Sequence, residues 1–199
     1  LQSFQMNMSQ DRVLNLLKGS SIYQNMYVGI REMIQNAVDA SLLEMWKNII
    51  HNEYTNYELT KDTVLNLYGK DIKPWQINKD IYSKFTIIVE LICDKDQQKL
   101  ELVVKDKGIA IDSKDVAYIA NLGSSKEKNP RVLEIMKTMP NWLTPAGFFG
   151  IGLQSVFQLT DKIEFYSRRK NLSEKLIVMH SYNSNKGNIE VREVPQDPS

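Results

Sequence analysis

An α+β fold, with a layer of helices on a mainly antiparallel sheet, is predicted by three features of the sequence. A long helical pattern lies in the first quarter, a β-hairpin occupies the middle, and three strand-like segments close the chain. Helices and strands are segregated and do not strictly alternate, which disfavours a doubly wound parallel sheet.

The elements follow in order. Residues 3–8, SFQMNM, alternate like a short strand, and SQDRVLNLLKG offers a Ser cap, a helical apolar pattern and a closing Gly. A longer helix is predicted from about Asn25 to about Ile50, with Ile30, Met33, Ile34, Ala37, Val38 and Leu42 as its apolar stripe. Residues 51–84 show no sustained period and read as an insertion of undetermined structure. FTIIVELIC, the polar DKDQQ and KLELVVKD form a hairpin of β-branched runs about a turn, which brings Asp106, Lys107 and Gly108 to a strand end. A helical piece follows near residues 113–120, then the turn-rich NLGSSKEKNP and a short helix around Arg131 to Lys137. Residues 121–146 are expected to be mobile. A helix from Phe149 to Leu159 and the strands DKIEFYSR, KLIVMHSY and NIEVREV complete the chain. No internal repeat or low-complexity tract interrupts it.

Composition bounds the possibilities. At 199 residues, 42% hydrophobic and 25% charged, the chain suits one soluble domain with a substantial core. Twenty-five basic against 24 acidic side chains leave a net charge of +1, which gives no electrostatic footprint for nucleic acid or an anionic membrane. Cys93 lies in an apolar run, so it reads as a buried small hydrophobe in a reducing, cytoplasmic setting. No apolar stretch reaches membrane-spanning length, and the N-terminus lacks the layout of a signal peptide. The opening Leu and the ending VPQDPS suggest a domain excised from a longer protein.

Three motifs carry chemistry. In REMIQNAVDA, Glu32, Asn36 and Asp39 stand at i, i+4 and i+7 and share one helical face. Such a stripe is usually solvated surface. Its groups are nevertheless apt, because a carboxylate can take a proton from water and an amide oxygen is a hard ligand for magnesium. In KDKGIAID, Asp106 ends a strand and Gly108 follows in a turn. A carboxylate there can accept from an exocyclic amine, and Gly permits close approach to a flat ring, although Asp and Gly are also common at plain strand-to-turn junctions. In AGFFGIGLQSVF, Gly147, Gly150 and Gly152 lead into an amphipathic helix. Glycines before a helix N-terminus free backbone N–H groups to bind phosphate, but the pattern matches neither a P-loop nor a Rossmann turn, and a packing turn is the plain alternative.

Together and in this order, REMIQNAVDA, DKGIAI and GFFGIGLQSVF resemble the three nucleotide-binding boxes of the GHKL superfamily of gyrase, heat-shock protein 90, histidine kinases and MutL. The similarity is greatest to the N-terminal domain of heat-shock protein 90-like proteins. It extends through SFQMNMSQDRVLNLLKGSSIYQN, NLGSSKEK and LTDKIEFYSR, and so covers nearly the whole chain except residues 43–84. The resemblance implies a Bergerat-type fold in a single domain over residues 1–199, with an insertion at about 43–84 and an ATP lid at about 121–148.

It also implies roles. Glu32 matches the general base acting on the attacking water, and Asn36 the magnesium ligand. Asp39 and Ala40 line the nucleotide pocket, Asp106 reads the adenine amino group, and Gly108 and Ile111 border the base. Asn121, Ser125 and Lys126 match lid positions that contact ribose or phosphates. Gly147, Gly150, Ile151, Gly152 and Leu153 match the backbone cradle of the phosphates. The implied activity is slow ATP hydrolysis with Mg2+, closing the lid in a chaperone-like switch. The implied partners are adenine nucleotide, and protein partners or self-association through the parent protein, with neither membrane nor nucleic acid indicated. A degenerate scaffold module, or the ATPase head of a MutL- or topoisomerase-like protein, is the alternative.

Two features depart from the superfamily pattern. Ala110 stands where the second box normally has Gly, and a β-carbon there is expected to strain a turn at positive φ. The interval at residues 43–84 is longer than usual and is expected to be an elaborated loop more than a partner surface. His51 and His180 lack metal-ligand neighbours in sequence, and Trp46, Trp75 and Trp142 are expected to pack.

Overall fold

A computed structural model describes residues 2–5, 7–8, 27–57, 59–64, 71–122, 129–146, 155–170, 172–185 and 187–195. The predicted helix at 9–19 and most of the Gly-rich segment lie outside these residues. The architecture is α+β, as the segregated pattern predicts. The chain divides into two compact units. Unit 1 comprises Leu1–Met33, Ala110–Pro130 and Gly147–Ser199, and unit 2 comprises Ile34–Ile109 and Arg131–Ala146.

Unit 1 is built on a four-stranded antiparallel sheet. Strands β1 (Gln2–Gln5), β6 (Lys162–Ser167), β7 (Lys175–His180) and β8 (Asn188–Glu193) lie in the order β1-β8-β7-β6. Alternate residues Ile177 and Met179 of β7, with Ile189 and Val191 of β8, are buried with Val116, and Phe4, Ile119 and Phe165 pack against them. Val116 and Ile119 belong to α3 (Ser113–Ala120), where a three-residue spacing puts both on one face. This is the predicted helix-on-sheet layering. A reciprocal cap starts α3: Asp112 Oδ1 accepts from the Lys114 and Asp115 N–H groups at 2.8 and 3.0 Å, while the Asp112 N–H donates to Asp115 Oδ2 at 2.9 Å. The buried Asn129 then donates to Asp115 Oδ1 at 2.7 Å. A short parallel pair joins β2 (Asn7–Met8) to β5 (Asn121–Leu122). Of the helix expected from Phe149 to Leu159, the described part is helical at Ser155 and Val156 and then turns.

One helix, α1 (Tyr27–Ile50), runs through the chain from the first unit into the second. Near its start, a β-carbon on Gly29 would lie 2.9 Å from the Ser155 carbonyl oxygen, so the absence of a side chain permits that contact.

Unit 2 gathers its core around the second half of α1. Leu43, Met45, Trp46 and Ile49 are buried with Tyr54, Leu59, Val64, Ile72, Ile77 and Ile81 from the insertion, and with Ile135, Met139 and Leu143. The segment with no legible period therefore supplies six of the 13 buried residues of this cluster. Ile81 comes from the one-turn helix α2 (Lys79–Tyr82), and Ile135 from α4 (Pro130–Met136). The indole of Trp46 donates to Thr138 Oγ1 at 3.0 Å and that of Trp142 to the Ile72 carbonyl at 2.6 Å. Trp75 departs from the packing expectation and is 81% exposed, carried on a 3-10 turn at Pro74–Gln76.

The hairpin of β3 (Ile88–Asp94) and β4 (Lys99–Lys105) forms as predicted. Its register sets Val89 opposite Val104, Leu91 opposite Leu102 and Cys93 opposite Leu100, so one face is wholly apolar. That face is open: Leu91 and Leu100 are each 64% exposed. Cys93 is exposed with it, which corrects the expectation of a buried thiol and removes the argument from burial to compartment. Among the described residues, no helix is long and apolar enough to cross a membrane.

Candidate nucleotide site

Within unit 2 the first two motifs meet at one turn of α1. The Ile109 N–H donates to the Ala40 carbonyl at 2.9 Å. A β-carbon on Gly108 would lie 2.4 Å from the Ala40 carbonyl carbon and 2.6 Å from the Ser41 nitrogen. Gly108 is thus required by the helix backbone. Its φ is not in the left-handed range, so space and not backbone conformation demands the glycine.

Asp106 stands just beyond the end of β4. Its Oδ1 accepts the Gly108 N–H at 2.7 Å, an Asx turn that fixes the carboxylate plane. With Oδ1 engaged, Oδ2 has acceptor capacity for an incoming amine. The residue as a whole stays open to solvent, yet burial on its protein side lifts the carboxyl above the ordinary Asp range, and the Gly108 hydrogen bond partly offsets that rise.

Ala146, the residue before Gly147, reaches the same turn of α1. Asp39 is 1% exposed, and its Oδ1 accepts from Gln35 Nε2 at 2.9 Å and from the Ala146 N–H at 3.1 Å. Ala146 immediately precedes Gly147. Sequence reading did not single out Gln35 or Ala146. The Gln–Asp pair at i, i+4 was a detectable helical signal. The backbone donor 107 residues away was not.

The remaining residues are placed as follows. Glu32 and Asn36 are half-buried on α1, and Arg31 Nη2 donates to Glu32 Oε1 at 2.7 Å. Ile111 is in unit 1, where its N–H donates to Ser167 Oγ at 2.8 Å and its side chain packs against the Val116 cluster. Asn121 belongs to β5, also in unit 1. Ser125, Lys126, Gly147, Gly150, Ile151, Gly152 and Leu153 lie outside the described residues. Ala110 corrects an expectation: among the described non-glycine residues only Asn52 and Gln98 have positive φ, so the methyl of Ala110 imposes no left-handed strain.

Among the described residues, no group of three His, Cys, Asp or Glu side chains is arranged to hold a metal ion.

No protein-family model matches the chain. Its sequence is 27% identical to an endoplasmin homolog of Catharanthus roseus over 171 residues, covering 85% of this chain and 17% of that protein. It is 26% identical to the chaperone protein HtpG of Helicobacter pylori over 179 residues, covering 89% of this chain and 24% of that protein. An endoplasmin homolog of Arabidopsis thaliana is 26% identical over 174 residues, 87% of this chain and 18% of that protein. The chain spans about a fifth of the length of these curated relatives. Together the similarities support a distant relationship to the heat-shock protein 90 chaperones.

Proposed function

We propose that this chain is a GHKL-type module that binds Mg-ATP and hydrolyses it slowly, as the nucleotide switch of a chaperone-like protein. The observation that carries the reading is Asp106: a carboxylate at a strand end, oriented by the Gly108 N–H and seated on α1 through Gly108 and Ile109. Its Oδ2 would accept the exocyclic amine of adenine, and a base without that donor would leave the acceptor unpaired, which is the physical basis of selectivity.

Glu32 would accept a proton from the attacking water, and Asn36 would hold magnesium, which lessens the charge repulsion on the phosphates when bound. Asn121, Ser125 and Lys126, with the backbone from Gly147 to Leu153, would face the ribose and phosphates. Client proteins or a second protomer would read the resulting conformational change, in keeping with the chaperone names of the relatives.

One paired experiment tests both parts. By calorimetry, Asp106→Asn is expected to weaken adenine nucleotide binding by about tenfold or more, because the amide can present its donor end to the amine. Glu32→Ala is expected to abolish steady-state hydrolysis while Mg-ATP affinity stays within about threefold of the unaltered protein. Unchanged affinity in the Asp106 variant removes the base contact, and equal loss of binding and turnover in the Glu32 variant removes the general base.

A further inference from the structure

We propose that Tyr54 and Tyr57 form a cage for an alkylammonium group, which Lys84 fills from within the chain, so that Lys84 is a site where acylation releases the insertion and N-methylation does not.

A neutral phenol presents a negative ring face, and an ammonium over that face is attracted when it lies within about 6 Å of the centroid. The Lys84 Nζ lies over both rings, 4.9 Å from the centroid of Tyr54 and 5.0 Å from that of Tyr57. The ring centroids stand 6.4 Å apart with their planes at 70°, so the rings form two walls and share the cation almost equally. Each side of the cage is braced by its own bonds. On one side the Tyr57 N–H donates to the Tyr54 carbonyl at 3.0 Å, and Tyr54 makes an antiparallel bridge with Leu59. On the other, Lys84 is carried on the turn Ser83–Phe85, which follows α2 directly. There Ser83 Oγ donates to the Asp80 carbonyl at 2.8 Å and Thr86 Oγ1 to the Ser83 carbonyl at 2.9 Å. Because both turns are ordered by these bonds, the contact has little backbone entropy left to offset. The surroundings also suit a cation. Burial, above all, lifts the Tyr54 phenol above the ordinary tyrosine range; a hydrogen bond with Asn48 works against that rise, and Glu44, which also pairs with Lys47, and Glu53 add to it. The ring therefore stays neutral near pH 7, and two carboxylates lie in reach of it. Lys84 is exposed, so a modifying reagent can reach its amine. Acetylation turns the ammonium into a neutral amide and removes the attraction, whereas methylation keeps the charge.

The test uses the whole chain, and because Lys84 is exposed its substitutions leave the buried core intact. Lys84→Gln, which imitates acetyl-lysine, is expected to speed amide hydrogen exchange at Tyr57 by about fivefold, and Lys84→Arg, which keeps a cation, to leave it within about twofold of the unaltered rate. Lys84→Ala empties the cage for an added probe. In that variant the ring-proton NMR shifts of Tyr54 and Tyr57 are expected to titrate with choline at least about threefold more tightly than with its neutral analogue 3,3-dimethylbutan-1-ol. The unaltered protein, with Lys84 in place, is expected to bind choline at least about threefold more weakly than Lys84→Ala, and adding Tyr57→Leu to Lys84→Ala is expected to abolish the response at Tyr54. Equal exchange at Tyr57 in the unaltered protein and Lys84→Gln overturns the proposal, as does exchange in Lys84→Arg as fast as in Lys84→Gln, which would make side-chain shape and not charge decisive. Equal affinity for choline and its neutral analogue overturns it too, because the rings would then be an apolar hollow. A choline response as strong in the unaltered protein as in Lys84→Ala would place the probe elsewhere and remove Lys84 as the occupant.

Discussion

The insertion at residues 51–84 and the hairpin β3–β4 stand in the same unit and contribute to it in opposite ways. The insertion is irregular, yet Ile72 and Ile81 are 0% exposed, and Tyr54, Leu59, Val64 and Ile77 are buried with them. The hairpin is regular, yet its apolar face is open. The difference is one of backbone accounting. Irregular chain needs its polar groups paired or in water, and at the exposed parts of this segment side chains tie the backbone back on itself. Asn52 Oδ1 accepts the Lys61 N–H at 2.6 Å, Gln76 Oε1 accepts the Lys73 N–H at 2.7 Å, and the Tyr82 hydroxyl donates to the Pro74 carbonyl at 3.0 Å. Lys84 lies over the rings of both Tyr54 and Tyr57, at 4.9 and 5.0 Å from their centroids, and so ties the end of the insertion to its beginning. The hairpin pairs the inward-facing backbone groups of its two strands with each other, register by register. Regularity and burial are separate properties, and this unit assigns them to different segments.

The sharpest way to break that contrast is truncation on both sides of it. Ile72→Ala is expected to cost about 3 kcal/mol, through lost burial and the cavity left behind, whereas Leu91→Ala on the open face is expected to stay within about 0.5 kcal/mol. Urea unfolding of the two variants measures both. A Leu91 penalty as large as that of Ile72 would mean that something covers the hairpin face.

A smaller effect, of opposite sign, is expected where α1 enters the insertion's core. Ser41 is buried, and among the described residues its Oγ has no hydrogen-bond partner. Ser41→Ala removes an unsatisfied hydroxyl and improves helix propensity, so the protein is expected to gain about 1 kcal/mol. A lower melting temperature for this variant would show that the hydroxyl has a partner after all.

The smallest effect concerns Asp106, just beyond the hairpin. Its carboxyl is raised above the unfolded value, so the native state binds the proton more tightly and ionisation on folding is unfavourable. Stability from this group therefore falls as pH rises through the window between the unfolded and the raised folded value. Asp106→Asn is expected to flatten that slope in urea midpoints measured from about pH 4 to 7. An unchanged slope would assign it to other carboxyls.

Much of this arrangement was legible before the structure. The strands at 162–167, 175–180 and 188–193 announce themselves by β-branched and aromatic residues, and α1 by its sustained helical spacing. The insertion did not, because its buried residues, among those described, fall at steps of five, five, eight, five and four, which fit neither helix nor strand. In the candidate site, Asp39, Asp106 and Gly108 were found as motif members, but their local bonds were not. Gly108 was read as clearance for a ring, while the atoms it clears belong to Ala40 and Ser41. At Ala110 a superfamily pattern suggested strain that the backbone does not have. Motif position reports which residue stands where; the neighbours that give it work come from chain segments far away.

The edge of the sheet in unit 1 carries a consequence for the order of assembly. Gln2 pairs with Val191 and Gln5 with Asn188, so β1 finds its place only against a strand almost the full length of the chain away. On a ribosome, β1 emerges long before β8 and waits for the intervening sequence before its ladder can form. Most of unit 2, at Ile34–Ile109, is by contrast nearly consecutive in sequence. Local contacts close sooner than distant ones. During synthesis, then, the core around Trp46 has most of its partners to hand while β1 still presents the backbone that β8 pairs only once residue 188 has appeared.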